Sequence, residues 1–451
     1  MPEGTGKVSA AGRDPVHLGS MPVGRLICQN TIPAFVSILA YNLYNIADTF
    51  FIAKGVGMDA AGGLAVSFPL FIFLSAFTSM LGGGGASILS QALGAGDFRK
   101  ANRVIANCFG VFFLIAVLIS LFGLLFLEPL LYGMGVTDTL LPYAKTYTRI
   151  ILSAAVVSTG FSSLIRAEGS SRYAMYIWLI PIGINLLADL ILIFVFSMGV
   201  AGAAMGTALS WCVSMAMSVR YFFLSGRRIV KIEYQDFKPN LPLLKEILGI
   251  GIPTFIQTSG YSFSVIFINQ ILKNHGGDLA ISTYGIVSKV YTFLLLGITA
   301  LMQGIQPIIG YNYGEGNSER ISETLHKSYR LAAFYGLAVL AVLLLSAESM
   351  IRIFTPDNAV IGLGRDILLT MGGGIVFHGI YSIQSVYFQA TGKRGVSLFL
   401  SLCSHIICLI PSAMILLTFA GNTKIWYAFP LSGFASMVIS CLLMKTMTKD
   451  R

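Results

Sequence analysis

Long apolar stretches separated by short polar connections dominate the chain, and this alternation predicts a bundle of membrane-spanning helices. An α-helix needs roughly 20 apolar residues to cross the hydrocarbon core of a bilayer. Twelve stretches reach or approach that length, so the predicted fold class is an all-α polytopic membrane protein with 12 transmembrane helices. We place the spans at residues 29–53, 64–92, 104–127, 143–165, 173–196, 200–224, 246–272, 280–310, 328–347, 362–388, 396–419 and 425–445.

The second half of the chain repeats the first. A shift of 220 positions puts Gly84 on Gly304 and the loop Gly94 to Gly96 on Gly314 to Gly316. Six spans in each half give both halves the same orientation, so we expect two six-helix lobes related by a parallel, pseudo-twofold repeat. The predicted organisation is an N-terminal segment (1–24), a first lobe (25–224), a linker (225–245), a second lobe (246–445) and a tail (446–451).

Composition and charge exclude a soluble nucleic-acid-binding protein. Of the 451 residues, 55% are hydrophobic and 11% charged, against about 25% charged in ordinary soluble domains. The net charge of +10 lies mainly in connections on one side of the membrane, including Arg99, Lys100 and Arg103. Cytoplasmic loops carry this excess of Lys and Arg. We therefore expect both termini and the linker to be cytoplasmic, and no nucleic-acid partner.

Two carboxylates interrupt long apolar runs in which nothing else is acidic: Asp48 within residues 32–52 and Asp189 within residues 176–196. A charged group at membrane depth costs roughly 2.5–3.5 kcal/mol on insertion scales and usually marks a functional site. The repeat places Ile268 and Ser412 at the matching positions of the second half. Chemistry that needs an ionisable carboxylate is therefore predicted in the first lobe only.

The helical period puts polar side chains beside both acids. Tyr44 and Asn45 lie within one turn of the first-span acid, and Asn185 lies one turn before the fifth-span acid. Thr207 lies in a small-residue segment of the sixth span, which permits close helix approach. The predicted cation-coupling set is Asp48, Asp189, Asn185, Thr207, Tyr44 and Asn45.

Such a set can act in two ways. Protonated acids form a neutral hydrogen-bonded cluster, whereas ionised acids hold Na⁺ together with amide and hydroxyl oxygens. The coupling ion is thus H⁺ or Na⁺, bound at Asp48 and Asp189, and no other metal or cofactor is predicted. The alternative is that each acid only accepts hydrogen bonds that fix helix packing.

A wider polar and aromatic set is predicted to line a substrate cavity. Lys289, in the eighth span, either faces this cavity or extends along its aliphatic stem toward the membrane surface. His378 and His405 are read as interior histidines, with a role in proton relay as the alternative. The glycine run 82–85 indicates close packing or bending, since no phosphate-binding context accompanies it. The predicted cavity residues are Tyr41, Gln257, Tyr261, Tyr284, Lys289, Gln303, Gln306, Tyr381 and Gln384.

Several short motifs, in this order and spacing, resemble the multidrug and toxic compound extrusion (MATE) family, particularly its MepA-like bacterial members. The resemblance covers the chain from about Leu18 onward. The motifs are LGSMPVGRLI, YNIADTFFIA, LGAGD, IRAEGSSR, INLLADLILIF, VAGAAMGTALS, QPIIGYNYGEGN and FQATGKRG.

The resemblance implies a secondary antiporter, not an enzyme, with V-shaped lobes and a central cavity. Such a protein exports organic, often cationic and amphiphilic drugs or metabolites in exchange for H⁺ or Na⁺. In similar proteins a first-helix and a fifth-helix acid serve the cation site, which gives those roles to Asp48 and Asp189. It also implies a monomer in contact with lipids in the bacterial inner membrane. Two alternatives stay open, an exporter of lipid-linked or glycan precursors and a non-transporting membrane sensor or enzyme.

Overall fold

The computed structural model describes residues 16–158, 161–225, 229–275 and 277–449, and within them the chain is helical with no β-strand. Most of these residues belong to twelve long helical segments, joined by short connections. They are α1 (Val23–Gly55), α2 (Met58–Gly94), α3 (Phe98–Leu125), α4 (Leu141–Ala154 continued by Ser162–Ala167), α5 (Ser171–Val195), α6 (Gly199–Leu224), α7 (Leu241–His275), α8 (Leu279–Glu315), α9 (Ser318–Arg352), α10 (Asn358–Gly372 continued by Ile375–Ala390), α11 (Arg394–Phe419) and α12 (Lys424–Met447).

The predicted twelve-helix membrane fold is confirmed. Ten helical segments of the described chain are long and apolar enough to cross a membrane, and the two parts of α10, bent by 43°, form an eleventh. The twelfth is α7, a helix of 35 residues at the position that repeats α1. The helices extend past the predicted spans, because polar residues at their ends continue the backbone hydrogen bonds outside the hydrocarbon region.

The same helix pairs pack together in each half. Helix α1 packs on α5 and α7 packs on α11; α2 packs on α3 and α8 on α9; α4 packs on α6 and α10 on α12. The halves meet through α2 on α7, α1 on α8, and α2 on α8. The repeat in sequence is therefore a repeat in packing, and it sets α1 beside α5, the two helices that carry the membrane acids.

Glycines let the two halves approach until their backbones touch. A Cβ atom on Gly84 would lie 2.0 Å from the carbonyl oxygen of Ile247, and one on Gly94 would lie 1.9 Å from that of Tyr311. The repeat-related Gly314 is as tightly placed, 2.0 Å from the carbonyl oxygen of Gln91. These crossings lie toward the end of the bundle at which α1 and α7 begin, which we call the linker face. The predicted close-packing role of the glycine run is confirmed at Gly84.

Glutamine and arginine side chains add polar links between the halves near the same crossings. Gln306 on α8 donates to the Gly83 carbonyl (3.2 Å) and to Ser87 Oγ (3.0 Å) on α2. Arg166, at the end of α4, donates to Gln303 on α8. Buried polar groups need such partners. The linker face is consequently closed by both backbone contact and hydrogen bonds.

Candidate ion and substrate site

The contact of α1 with α5 brings the two membrane acids together. The carboxyl groups of Asp48 and Asp189 lie within hydrogen-bonding reach of each other. Asp189 is fully buried. Among the described residues no donor reaches either carboxyl oxygen of Asp189 or Oδ1 of Asp48. Two ionised carboxylates present only acceptors to each other, so a shared proton or a bound cation would stabilise this contact.

Four helices supply the oxygen and amide groups around the pair. Asn185 donates to Thr207 Oγ1 at 3.3 Å, which joins α5 to α6. The hydroxyl groups of Tyr44 and Tyr147 both approach the Thr207 side chain. The structure thus brings five predicted residues of the coupling set beside one another, together with a sixth side chain from α4.

Tyr147 belongs to the cluster but is not among the residues that the sequence predicted. It is buried, 6% exposed, and interacts with both acids as well as with Thr207. Its segment of α4 carries Lys145 and Arg149 on either side, so the local pattern resembles a polar helix end. Only the packing of α4 on α6 shows that this tyrosine faces the acids.

Asn45 lies outside the cluster, contrary to the predicted set. Its amide Nδ2 donates to the backbone carbonyl of Tyr41 at 2.7 Å, and the side chain also interacts with the Tyr41 hydroxyl. An asparagine in a helix often bonds to the preceding turn in this way. The residue therefore positions Tyr41, whose ring packs edge-on against Trp178 with centroids 5.3 Å apart.

The backbone is unusual at Asp189. Residues Leu190–Val195 form a π-helical turn directly after the acid, and Pro181 lies inside the preceding helix. Such π-turns are frequent at functional sites because the extra residue per turn re-aims neighbouring side chains. Here the turn lies at the point where α5 must present its carboxyl group to α1.

Gly206 on α6 makes room for the Asp189 carboxyl group. A Cβ atom there would lie 2.4 Å from Asp189 Oδ1. We expect Gly206→Ala to displace this carboxylate and weaken coupling-ion binding about tenfold, since overpacking costs about 1–3 kcal/mol. The ion dependence of transport in proteoliposomes measures the effect. Gly183→Ala on α5 is the control, because no described atom beyond its own stretch of helix lies within 4 Å of its Cβ position. Equal ion dependence in the two variants would contradict this placement.

A cavity of about 1260 Å³, counting space open to solvent, adjoins the acid cluster. Tyr44 and Asn185 belong to both the cluster and the cavity wall. Aromatic and hydroxyl side chains form most of the wall, and one residue from the second half, Thr258 on α7, reaches it. We call this the first-half cavity; its wall includes Tyr41, Tyr44, Phe71, Ser75, Thr78, Trp178, Asn185, Trp211, Ser214 and Thr258.

The second-half residues of the predicted cavity set fall into different places. Tyr284 and Tyr381 line a separate cavity within the second half. Gln303 and Gln306 link the halves, as described above, because a polar side chain in a span can serve a neighbouring helix as well as a ligand. Gln384 is buried and accepts from Ser440 on α12.

Three further predicted cavity residues have other outcomes. Lys289 is exposed and lines neither of these two cavities. It does not share the face of α8 on which Tyr284, Ser288 and Tyr291 line the second-half cavity. Both observations favour a side chain that extends toward the membrane surface. Gln257 is partly buried and lines neither of them. The side chain of Tyr261 lies outside what the structure describes.

The donor set fits a proton or a monovalent hard cation. Within the described residues, no cluster of three or more His, Cys, Asp and Glu side chains is suited to hold a metal ion. Two carboxylates with a hydroxyl and an amide nearby offer oxygen ligands of the kind that hard cations prefer.

Comparisons with known proteins agree with this architecture. The MatE family model matches residues 33–191 and 250–415, once in each half. The multidrug export protein MepA of Staphylococcus aureus is 29% identical over 444 residues, covering 95% of this chain and 96% of that protein. MepA of Staphylococcus haemolyticus is 26% identical over 429 residues, covering 93% and 94%.

Solved structures show the same fold. A MOP superfamily transporter from Pyrococcus furiosus aligns with a TM-score of 0.91 at 23% identity, over 97% of this chain and 98% of that one. The outward-facing conformation of a multidrug resistance MATE family transporter also gives 0.91 at 23% identity, over 98% and 99%. Since the family model covers more than half of the chain, this protein belongs to the MatE family of multi-pass membrane transporters and is not an enzyme.

Proposed function

We propose that this transporter exports organic, cationic amphiphilic compounds in exchange for H⁺ or Na⁺, and that Asp48 and Asp189 bind the coupling ion. One observation carries the proposal: two membrane acids touch, with three carboxyl oxygens lacking a donor among the described residues, beside a large aromatic cavity. The named relatives, multidrug export proteins, support a role in drug efflux and resistance.

Exchange follows from the electrostatics of the acid pair. When both acids are ionised, their negative charge attracts a cationic cargo into the first-half cavity. Entry of H⁺ or Na⁺ neutralises the pair and removes that attraction, since charge interactions are strong where water is excluded. Tyr44 and Asn185 touch both sites. The cargo and the coupling ion therefore compete for the negative charge of the acid pair.

The closed linker face supports an alternating-access cycle. Arg99, Lys100 and Arg103 begin α3 on this face, and such basic clusters favour the cytoplasmic side. The described conformation would then be sealed toward the cytoplasm. Export requires the opposite state, in which the contacts at Gly84, Gly94 and Gly314 separate.

Efflux from proteoliposomes, with pH and Na⁺ gradients set independently, tests the function. We expect tetraphenylphosphonium, a lipophilic cation, to move against its gradient when one of the two ion gradients is applied. An arylsulfonate of similar size, being anionic, should not move. Transport driven by neither gradient, or flipping of a lipid-linked sugar without cation efflux, would reject the proposal.

A further inference from the structure

The second half contains its own cavity, of about 700 Å³ counting space open to solvent, enclosed by α7, α8, α10, α11 and α12. Two histidines, His378 on α10 and His405 on α11, form part of its wall. Among the described residues, no Asp, Glu, Lys or Arg lines this second-half cavity. Its lining differs from that of the first half, where two acids adjoin a cavity that none of the described histidines lines.

The second-half cavity holds hydrogen-bond donors that the protein leaves unused. Ser436 is fully buried, and its hydroxyl makes no hydrogen bond among the described residues, although the Cys408 thiol lies beside it. The Ser404 hydroxyl likewise lacks a hydrogen bond of good geometry, with the Tyr381 hydroxyl nearby. An unsatisfied buried hydroxyl costs about 1–3 kcal/mol, so both positions suit a ligand that accepts hydrogen bonds.

The imidazole of His405 is held in place. A Cβ on Gly260 of α7 would lie 3.2 Å from the ring, so the ring packs directly on that helix. Ser264 Oγ lies 3.5 Å from His405 Nδ1. His378 is near enough to interact electrostatically with His405. The two imidazole rings together supply the titratable nitrogens of this cavity wall.

The rest of the wall is aromatic and apolar. The rings of Tyr284, Tyr291 and Phe429 and the side chains of Met371 and Leu409 line it. Such walls favour a flat hydrophobic ligand body, and a few placed polar groups fix its orientation. The cavity therefore offers an aromatic compartment with hydrogen-bond donors and two histidines at its polar side.

We propose that the second-half cavity binds a small aromatic carboxylate, whose charge faces His378 and His405 when they carry a proton. A buried charge is tolerated when it is paired and hydrogen-bonded, and an imidazolium with a carboxylate forms a neutral, charge-assisted pair. The other titratable groups around the histidines are phenols and thiols: Tyr284, Tyr291, Tyr381, Cys403 and Cys408. This site does not depend on the proposed antiport at Asp48 and Asp189.

Binding of naphthoate to the purified full-length protein tests the proposal. We expect naphthoate to bind at least about tenfold more tightly at about pH 6 than at about pH 8, with proton uptake, because the histidines must be charged. Naphthylmethylammonium and naphthylmethanol have a similar shape but are cationic and neutral, respectively. At about pH 6, each should bind at least about tenfold more weakly than naphthoate. Equal binding of the three probes would overturn the proposal.

Variants locate the site. His378→Gln and His405→Gln should each weaken naphthoate binding about tenfold or more and reduce its pH dependence. His326→Gln, at an exposed histidine on α9, should leave it unchanged. Ser436→Ala should weaken binding several-fold while thermal stability stays the same, because this hydroxyl makes no hydrogen bond among the described residues. This variant tests the site even if a histidine variant fails to fold. Naphthoate binding that none of these second-half changes affects would place the ligand elsewhere.

Discussion

Asp189→Asn is expected to reduce gradient-driven efflux to the rate of protein-free liposomes while the protein remains folded. An asparagine fills the same space but stays neutral, so the site no longer changes charge. A ligand shifts a conformational equilibrium only by its differential affinity for the two states. Without ion binding at the acid pair, neither a pH nor a Na⁺ gradient can drive the cycle. Efflux of tetraphenylphosphonium from proteoliposomes measures the loss.

A matched acid provides the control for this variant. Asp59 lies in the first turn of α2 and is exposed, so Asp59→Asn removes the same charge from the same half without touching the cluster. We expect it to pump like the unaltered protein. Asp48→Asn should behave like Asp189→Asn, since the two carboxyl groups form one site. Normal efflux by both cluster variants would place the coupling site elsewhere.

Gly94→Ala is expected to hold the linker face open and to lower transport about tenfold or more. The added Cβ would lie 1.9 Å from the Tyr311 carbonyl oxygen, a backbone atom that no rotamer change can move. Overpacking costs about 1–3 kcal/mol, enough to shift a two-state population by about tenfold to a hundredfold. Alanine is the better helix former by about 1 kcal/mol, so weakening of α2 cannot explain a loss.

Labelling of an introduced thiol reports the expected opening. Ser87 is buried and accepts from Gln306 across the interface between the halves, so Ser87→Cys should react with a water-soluble maleimide faster when Gly94→Ala is also present. Gly314→Ala, the repeat-related change, should have the same effect. Gly110→Ala on α3 is the control, because within the part of the chain that the structure describes no atom beyond its own stretch of helix lies within 4 Å of its Cβ position. Unchanged labelling together with unchanged transport would show that the crossing tolerates a methyl group.

Much of the fold and part of the site could be read from the sequence. The twelve apolar stretches and the 220-residue repeat predicted the two six-helix halves, because hydropathy and internal symmetry are strong signals in membrane proteins. Asp48 and Asp189 stood out through their cost in an apolar run. Spacing along each helix then indicated Tyr44 and Asn185 as neighbours on the same faces.

What the sequence could not supply was the choice among partners in space. Tyr147 faces the acids because α4 packs on α6, and its local sequence pattern does not predict this packing. Asn45 shares a face with Tyr41 and Asp48, yet its amide satisfies the preceding turn. Gln303 and Gln306 resembled cavity residues but join the two halves. A polar side chain in a span needs a partner, and periodicity does not say which one.

Cation release on cargo binding is the most direct test of the acid pair as the shared site. Purified protein in weakly buffered solution would receive tetraphenylphosphonium while a pH indicator and a Na⁺ electrode record release. The account predicts that cargo displaces H⁺ or Na⁺ from the unaltered protein, and that the Asp48→Asn, Asp189→Asn double variant releases neither. Equal release from that double variant would contradict the account.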